Sequence, residues 1–116
     1  MAAVIRRGDA ARVSTPPQLS GLQRRFLRAR ANPLRALVQV GDGGVSPAVL
    51  RAIDASLEGH ELVKVRLRQP EDKKREAAQL AVDTRSALVG LVGHTVILYR
   101  PHPDEPKIEL PDRANA

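Results

Sequence analysis

Three glycines within four residues, Gly41, Gly43 and Gly44 in the stretch VQVGDGGVSPAVLRAID, are the group in this 116-residue chain best suited to hold a ligand. An apolar run leads into them and Ser46-Pro47 follows, a cap and a first-turn residue for a helix. A glycine-rich turn between a strand and a helix exposes backbone N–H groups at the positive end of the helix dipole, where phosphate can be held. The plainer alternative is a tight connection that needs positive φ. Two nucleotide motifs are excluded. No Lys-Ser or Lys-Thr follows the glycines to meet nucleotide phosphates and Mg²⁺, and Ser46 stands where a dinucleotide fingerprint requires its third glycine. What survives is a G-x-x-G backbone clamp on nucleic-acid phosphates. By itself that pattern is weak, arising by chance in about half of chains this long at ordinary glycine usage. Gly90-Leu91-Val92-Gly93 matches it too, but no helix follows, and that copy is assigned no binding role.

Composition narrows the chemistry. The absence of cysteine excludes disulfides, thiolate metal sites and cysteine nucleophiles, and is compatible with a reducing compartment. His60, His94 and His102 sit at no metal-ligand spacing. Asp54 and Glu58, at i and i+4, read as a solvated helix face, and no histidine joins them or Glu61 in an acid–base constellation. No enzymatic activity and no cofactor are expected. Aromatic residues make up 2% of the chain, which argues against base reading by stacking. The net charge of +6 suggests a polyanionic partner, a membrane surface being the alternative for a basic chain. That charge is unevenly spread: residues 1–40 hold eight arginines against Asp9, a balance of +7, whereas residues 41–116 hold eleven basic and twelve acidic side chains, a balance of −1.

The elements that must position these groups follow from pattern. Ser20-x-x-Gln23 is a capping box that opens a helix ending before Asn32-Pro33. Leu22, Phe26 and Ala29 are expected on its packed side, Arg24 and Arg28 opposite, and Arg25 on the flank. Leu34–Val40 reads as a buried strand. A helix from Ser46-Pro47 carries Val49, Leu50, Ile53 and Leu57 on one face, with Gly59 as its stop. HELVKVRLR alternates with period two, placing Val63, Val65 and Leu67 on one sheet face and Lys64, Arg66 and Arg68 on the other. Such a cation row either binds a polyanion or guards an exposed edge. Residues 70–87 read as a third helix with Ala77, Leu80, Ala81 and Leu88 at helical spacing, and Leu88–Val92 and Thr95–Arg100 form a hairpin around Gly93-His94. The order α-β-α-β-α-β-β predicts an α/β fold with a mixed four-stranded sheet, parallel across its helical crossovers. The glycine turn then lies at a carboxyl strand end, where open α/β sheets bind ligands.

The ordered set, comprising the helix before Asn32-Pro33, VGDGG, HELVKVRL and VILYRP, resembles the CRM domain (chloroplast RNA splicing and ribosome maturation) in its stand-alone YhbY-like bacterial form, over about Leu19 to Pro101. The resemblance implies a sheet and helices similar to a translation initiation factor C-terminal domain, no catalysis, and RNA binding on precursors of the large ribosomal subunit. It places the family's G-x-x-G loop on Gly41, Asp42, Gly43 and Gly44, with cations supplied by Arg24, Arg25, Arg28, Lys64 and Arg66. Asp42 is a departure that leaves the loop's contribution mostly to backbone shape. The expected organisation is a flexible basic tail over 1–17, with a short organelle presequence as the alternative for its Ala- and Arg-rich composition, an RNA-binding domain over 18–103, and a C-terminal tail over 104–116 that docks in part through Lys107 to Leu110. A cytoplasmic monomer with no membrane segment is expected. The competing reading is a protein adaptor on ribosome assembly factors, its basic face meeting an acidic protein.

Overall fold

The computed structural model describes residues 16–41 and 43–112; Asp42 and residues 1–15 of the expected basic tail lie outside the described residues. Helix α1 (Gly21–Ala31) starts where the capping box requires: the Ser20 hydroxyl accepts from the Gln23 N–H at 3.1 Å, and the Gln23 side chain accepts from the Ser20 N–H at 3.1 Å. Then follow β1 (Ala36–Val40), α2 (Pro47–His60), β2 (Leu62–Leu67), α3 (Lys73–Thr84), β3 (Ala87–Val92) and β4 (Thr95–Tyr99). The fold is α/β with the expected element order and a mixed four-stranded sheet.

The strands lie in the order β1-β2-β4-β3, with β1 parallel to β2 and β4 antiparallel to both of its neighbours. Parallel pairing across a crossover therefore holds for β1 and β2 only. β3 also runs parallel to β2, but β4 lies between them. The reason is burial: Val96, Ile97, Leu98 and Tyr99 are all buried, so β4 is apolar on both faces and takes an interior place. Gly93, at φ +60°, supplies the first turn position of the β3–β4 hairpin.

Each sheet face is covered differently. α2 and α3 cover one face, over a core of Val38, Val40, Val63, Val65, Leu67, Val96 and Leu98 beneath Ile53, Leu57, Ala77 and Leu80. The other face carries α1 and the C-terminal segment, where Leu27, Ala31 and Ile108 pack on Leu62, Val89, Ile97 and Tyr99. Several boundaries differ from the sequence reading: α3 begins at Lys73, β3 begins at Ala87 and β4 ends at Tyr99. Leu88 belongs to β3, because α3 ends at Thr84, whose hydroxyl turns back to the Leu80 carbonyl at 2.7 Å and meets the Ser86 hydroxyl at 2.8 Å. β1 begins at Ala36. α2 runs through Gly59 to His60 and is capped by Glu61, at φ 66°. No helix among the described residues is long and apolar enough to cross a membrane.

Candidate nucleic-acid interface

The glycine turn joins β1 to α2 as a closed loop in which the Gly44 N–H donates to the Gly41 carbonyl at 3.0 Å. Only Gly44 among its described glycines has a positive φ, +79°. A Cβ added at Gly41, Gly43 or Gly44 would meet nothing within 4 Å. Gly44 is thus explained by backbone conformation, whereas neither packing nor φ accounts for glycine at 41 and 43. What the bare backbone provides is an open approach from outside. Ser46 caps α2 by accepting the Val49 N–H at 3.2 Å, and Pro47 occupies the first turn.

Arg68 adjoins this turn, its N–H donating to the Val40 carbonyl at 3.0 Å, and it lines with the glycines a hollow of about 450 Å³. Glu71 and Glu76 line the same hollow, so the field at the turn is mixed. Because β2 is paired on both sides, the cation row on it guards no edge; that alternative fails. Lys64, Arg66 and Arg68 instead run at alternate positions toward the glycine turn, about 7 Å apart by strand geometry. Arg68 was absent from the residue set that the resemblance placed at the site. Its signal was in the alternation of HELVKVRLR, which continues one residue past the strand.

Cross-strand register aligns Ala36, Lys64, Ile97 and Gly90 in one row, and Gln39, Arg66, Thr95 and Val92 in the next. Helix α1 leaves the second row open, with Gln39, Arg66 and Val92 exposed. Between α1 and the sheet is a cleft of about 480 Å³, walled on the helix side by Arg25, Arg28 and Ala29 and on the sheet side by Lys64, Thr95 and Val92.

α1 is rotated from its expected setting. Its buried stripe is Gln23, Leu27 and Ala31, with Phe26 at the margin and Ala29 exposed. The polar Gln23 can sit in that stripe because its side chain serves the capping box and donates to the Pro111 carbonyl at 2.9 Å. Arg24 consequently lies beside the core, where its Nε donates to the Leu88 carbonyl at 3.3 Å, and does not face away from the packed side. Arg25 and Arg28 are the arginines of α1 that reach the cleft. Lys64 also has structural work: its Nζ donates to the Asn32 and Leu34 carbonyls at 3.3 and 3.0 Å, at the negative end of the α1 dipole.

Of the three carboxylates weighed for acid chemistry, Asp54 and Glu58 line one small recess and Glu61 is buried apart from it. Asp54 pairs with Arg100 at 2.9 Å, and Arg100 also donates to the Thr84 carbonyl, joining α2 to the end of α3. Glu58 lines a small recess beside that pair. Glu61, 3% exposed, is buried. Its carboxylate accepts the backbone N–H groups of His102 at 2.6 Å, Lys107 at 3.0 Å and Ile108 at 3.0 Å. These bonds tie the C-terminal segment to the end of α2. Burial first, and the Glu61 charge second, push the Tyr99 hydroxyl from 10.0 up to about 12.

With this geometry in view, residues 19–100 match the CRS1 / YhbY (CRM) domain. The chain belongs to the CRM-domain family. Relatives of this CRM-domain chain include "Probable RNA-binding protein YqeI" of Bacillus subtilis, 42% identical and covering 80% of this chain and 99% of the relative. An "RNA-binding protein" of Haemophilus influenzae is 38% identical, over 80% of this chain and 95% of the relative. The solution structure of the hypothetical protein SAV1595 from Staphylococcus aureus superposes with a TM-score of 0.71 at 38% identity, covering 81% of this chain and all of that one. These relatives are named for RNA binding and not for an enzymatic activity.

Proposed function

We propose that this CRM-domain chain is a non-catalytic RNA-binding protein that grips structured ribosomal RNA in precursors of the large ribosomal subunit, acting as a cytoplasmic monomer. The observation that carries this reading is the succession of Arg25 and Arg28 on α1, Lys64 and Arg66 on β2 and Arg68 just past its end, a cationic track that ends at a glycine turn open to solvent. Phosphates along the track are held by charge, and the turn admits a backbone phosphate against bare peptide. The names of the relatives support RNA as the partner. The ribosomal destination follows from the family resemblance.

Crosslinking in cells, followed by sequencing of the attached RNA, tests the destination: reads are expected to concentrate in large-subunit ribosomal RNA and its precursors, and a spread following transcript abundance would oppose it. Gly43→Val tests the turn. Because Gly43 has open space around it, the variant is expected to keep wild-type stability in urea titration while losing RNA affinity several-fold. Unchanged affinity would return the glycines to a purely conformational role. Retained binding to an assembly-factor protein, with none to protein-free RNA, would favour the adaptor reading.

A further inference from the structure

We infer that the cleft between α1 and the open sheet row receives a single unstacked RNA nucleotide, its base laid on an apolar strip and its phosphate held at the rim. This inference rests on the RNA-binding reading and specifies the form of RNA bound. Three features support it. First, the cleft's size, about 480 Å³, suits one nucleotide and is too small for a helix of any kind. Second, its lining is divided: Ala29, Val92 and Ile97 are apolar, while Arg25, Arg28 and Lys64 bring positive charge. A site for phosphate alone has no use for the apolar part. Val92 is 62% exposed, an apolar side chain left in solvent beside three cations. A nucleotide has the complementary division, an apolar base face joined to an anion.

Third, the floor is cleared for it. Gly90 lies in the row of Lys64 and Ile97, and a Cβ there would stand 2.9 Å from Arg28 Cδ and 3.4 Å from Arg28 Cγ. The missing side chain lets the Arg28 stem lie close on β3 at the side of the cleft that it lines. This gives the second G-x-x-G match a physical role through its first glycine. Thr95 and Asn32 add uncharged polar groups to the cleft wall, within which an unpaired base can find a hydrogen-bond partner.

The test uses the full chain and two RNA hairpins of equal length and charge, one with a fully paired stem and one carrying a single unpaired 2-aminopurine in that stem. The bulged probe is expected to bind on the order of tenfold more tightly, the scale of burying a base face on a small apolar strip. Because the cleft holds no aromatic side chain, 2-aminopurine fluorescence should rise on binding as the base leaves its stacked neighbours. Ala29→Leu, an exposed and helix-compatible change that fills the cleft without altering charge, should bring the bulged probe down to the affinity of the paired one and leave the paired probe unchanged. Equal affinity of wild type for the two probes, or no fluorescence change, overturns the nucleotide cleft while RNA binding stands. Binding to neither probe at low salt overturns the RNA-binding reading itself. The fluorescence measurement needs no variant, so it decides the matter even if Ala29→Leu fails to fold.

Discussion

Glu61 is a buried carboxylate in a backbone conformation that favours glycine, and its three N–H partners explain why it stays there. A positive φ on a non-glycine residue costs on the order of 1–3 kcal/mol, and charge-assisted hydrogen bonds of about 1.5–3 kcal/mol each offset it. Tyr99, the sole tyrosine, reports on this arrangement. With its hydroxyl raised from 10.0 to about 12, the folded state keeps its proton where the unfolded chain has lost it. The associated stability is therefore full below pH 10 and falls as pH rises toward 12. Ultraviolet absorbance of tyrosinate should give a midpoint near 12 in the folded protein. In Glu61→Gln the midpoint should drop but stay above 10, because burial, the larger cause, remains. A midpoint at the unperturbed value in the wild type would contradict the burial of Tyr99. At Gly90, replacement by Val should displace the Arg28 stem and lower RNA affinity several-fold. The same replacement in an Arg28→Gln background should lose much less, and additive losses would show that Gly90 acts elsewhere.

At the scale of the element, α1 shows how a rotation of part of a turn redistributes function among neighbouring arginines. Leu22, Phe26 and Ala29 form a plausible apolar stripe, yet the helix buries Gln23, Leu27 and Ala31, because the Gln23 side chain finds partners at Ser20 and Pro111. Arg24→Gln is expected to cost about 0.5–1.5 kcal/mol of stability through its lost bond to the Leu88 carbonyl. Arg25→Gln with Arg28→Gln should leave stability within about 0.5 kcal/mol of wild type, since both arginines face the cleft. RNA titration should order the losses the other way, with the Arg25, Arg28 pair losing the more affinity. Urea denaturation alongside RNA titration separates the two effects, and equal destabilisation in both variants would contradict the observed rotation.

Across the whole molecule, Arg25 and Arg28 of α1 are brought against Lys64 of β2, and the cations of that strand continue toward the glycine turn. If about 4 to 6 of these cations meet phosphates, the logarithm of affinity should fall against the logarithm of salt with a slope of roughly −3 to −5. Between about 50 and 200 mM salt the loss is then on the order of 10²- to 10³-fold. Arg66→Gln should reduce the magnitude of that slope by about one, because Arg66 is exposed on the open row. A flat salt dependence would point away from phosphate recognition and toward a protein partner.

What the sequence determined by itself was local or periodic. The capping box at Ser20, the Ser46-Pro47 helix start, the Gly93 hairpin turn and the alternation of β2 each depend on bonds or side-chain directions within a few residues, and each is present. The glycine turn and the arginines of α1 were visible as candidates for the same reason. What only the tertiary structure decided depends on partners far apart in the chain. β4 lies between β2 and β3 because both of its faces need burial. Arg24 is occupied by a carbonyl of β3, Arg28 lies over Gly90, and Glu61 holds a segment more than forty residues beyond it. Charge and spacing show that an arginine is available, but whether its guanidinium serves the fold or faces a ligand is set by the donors, acceptors and bare backbone that folding brings beside it.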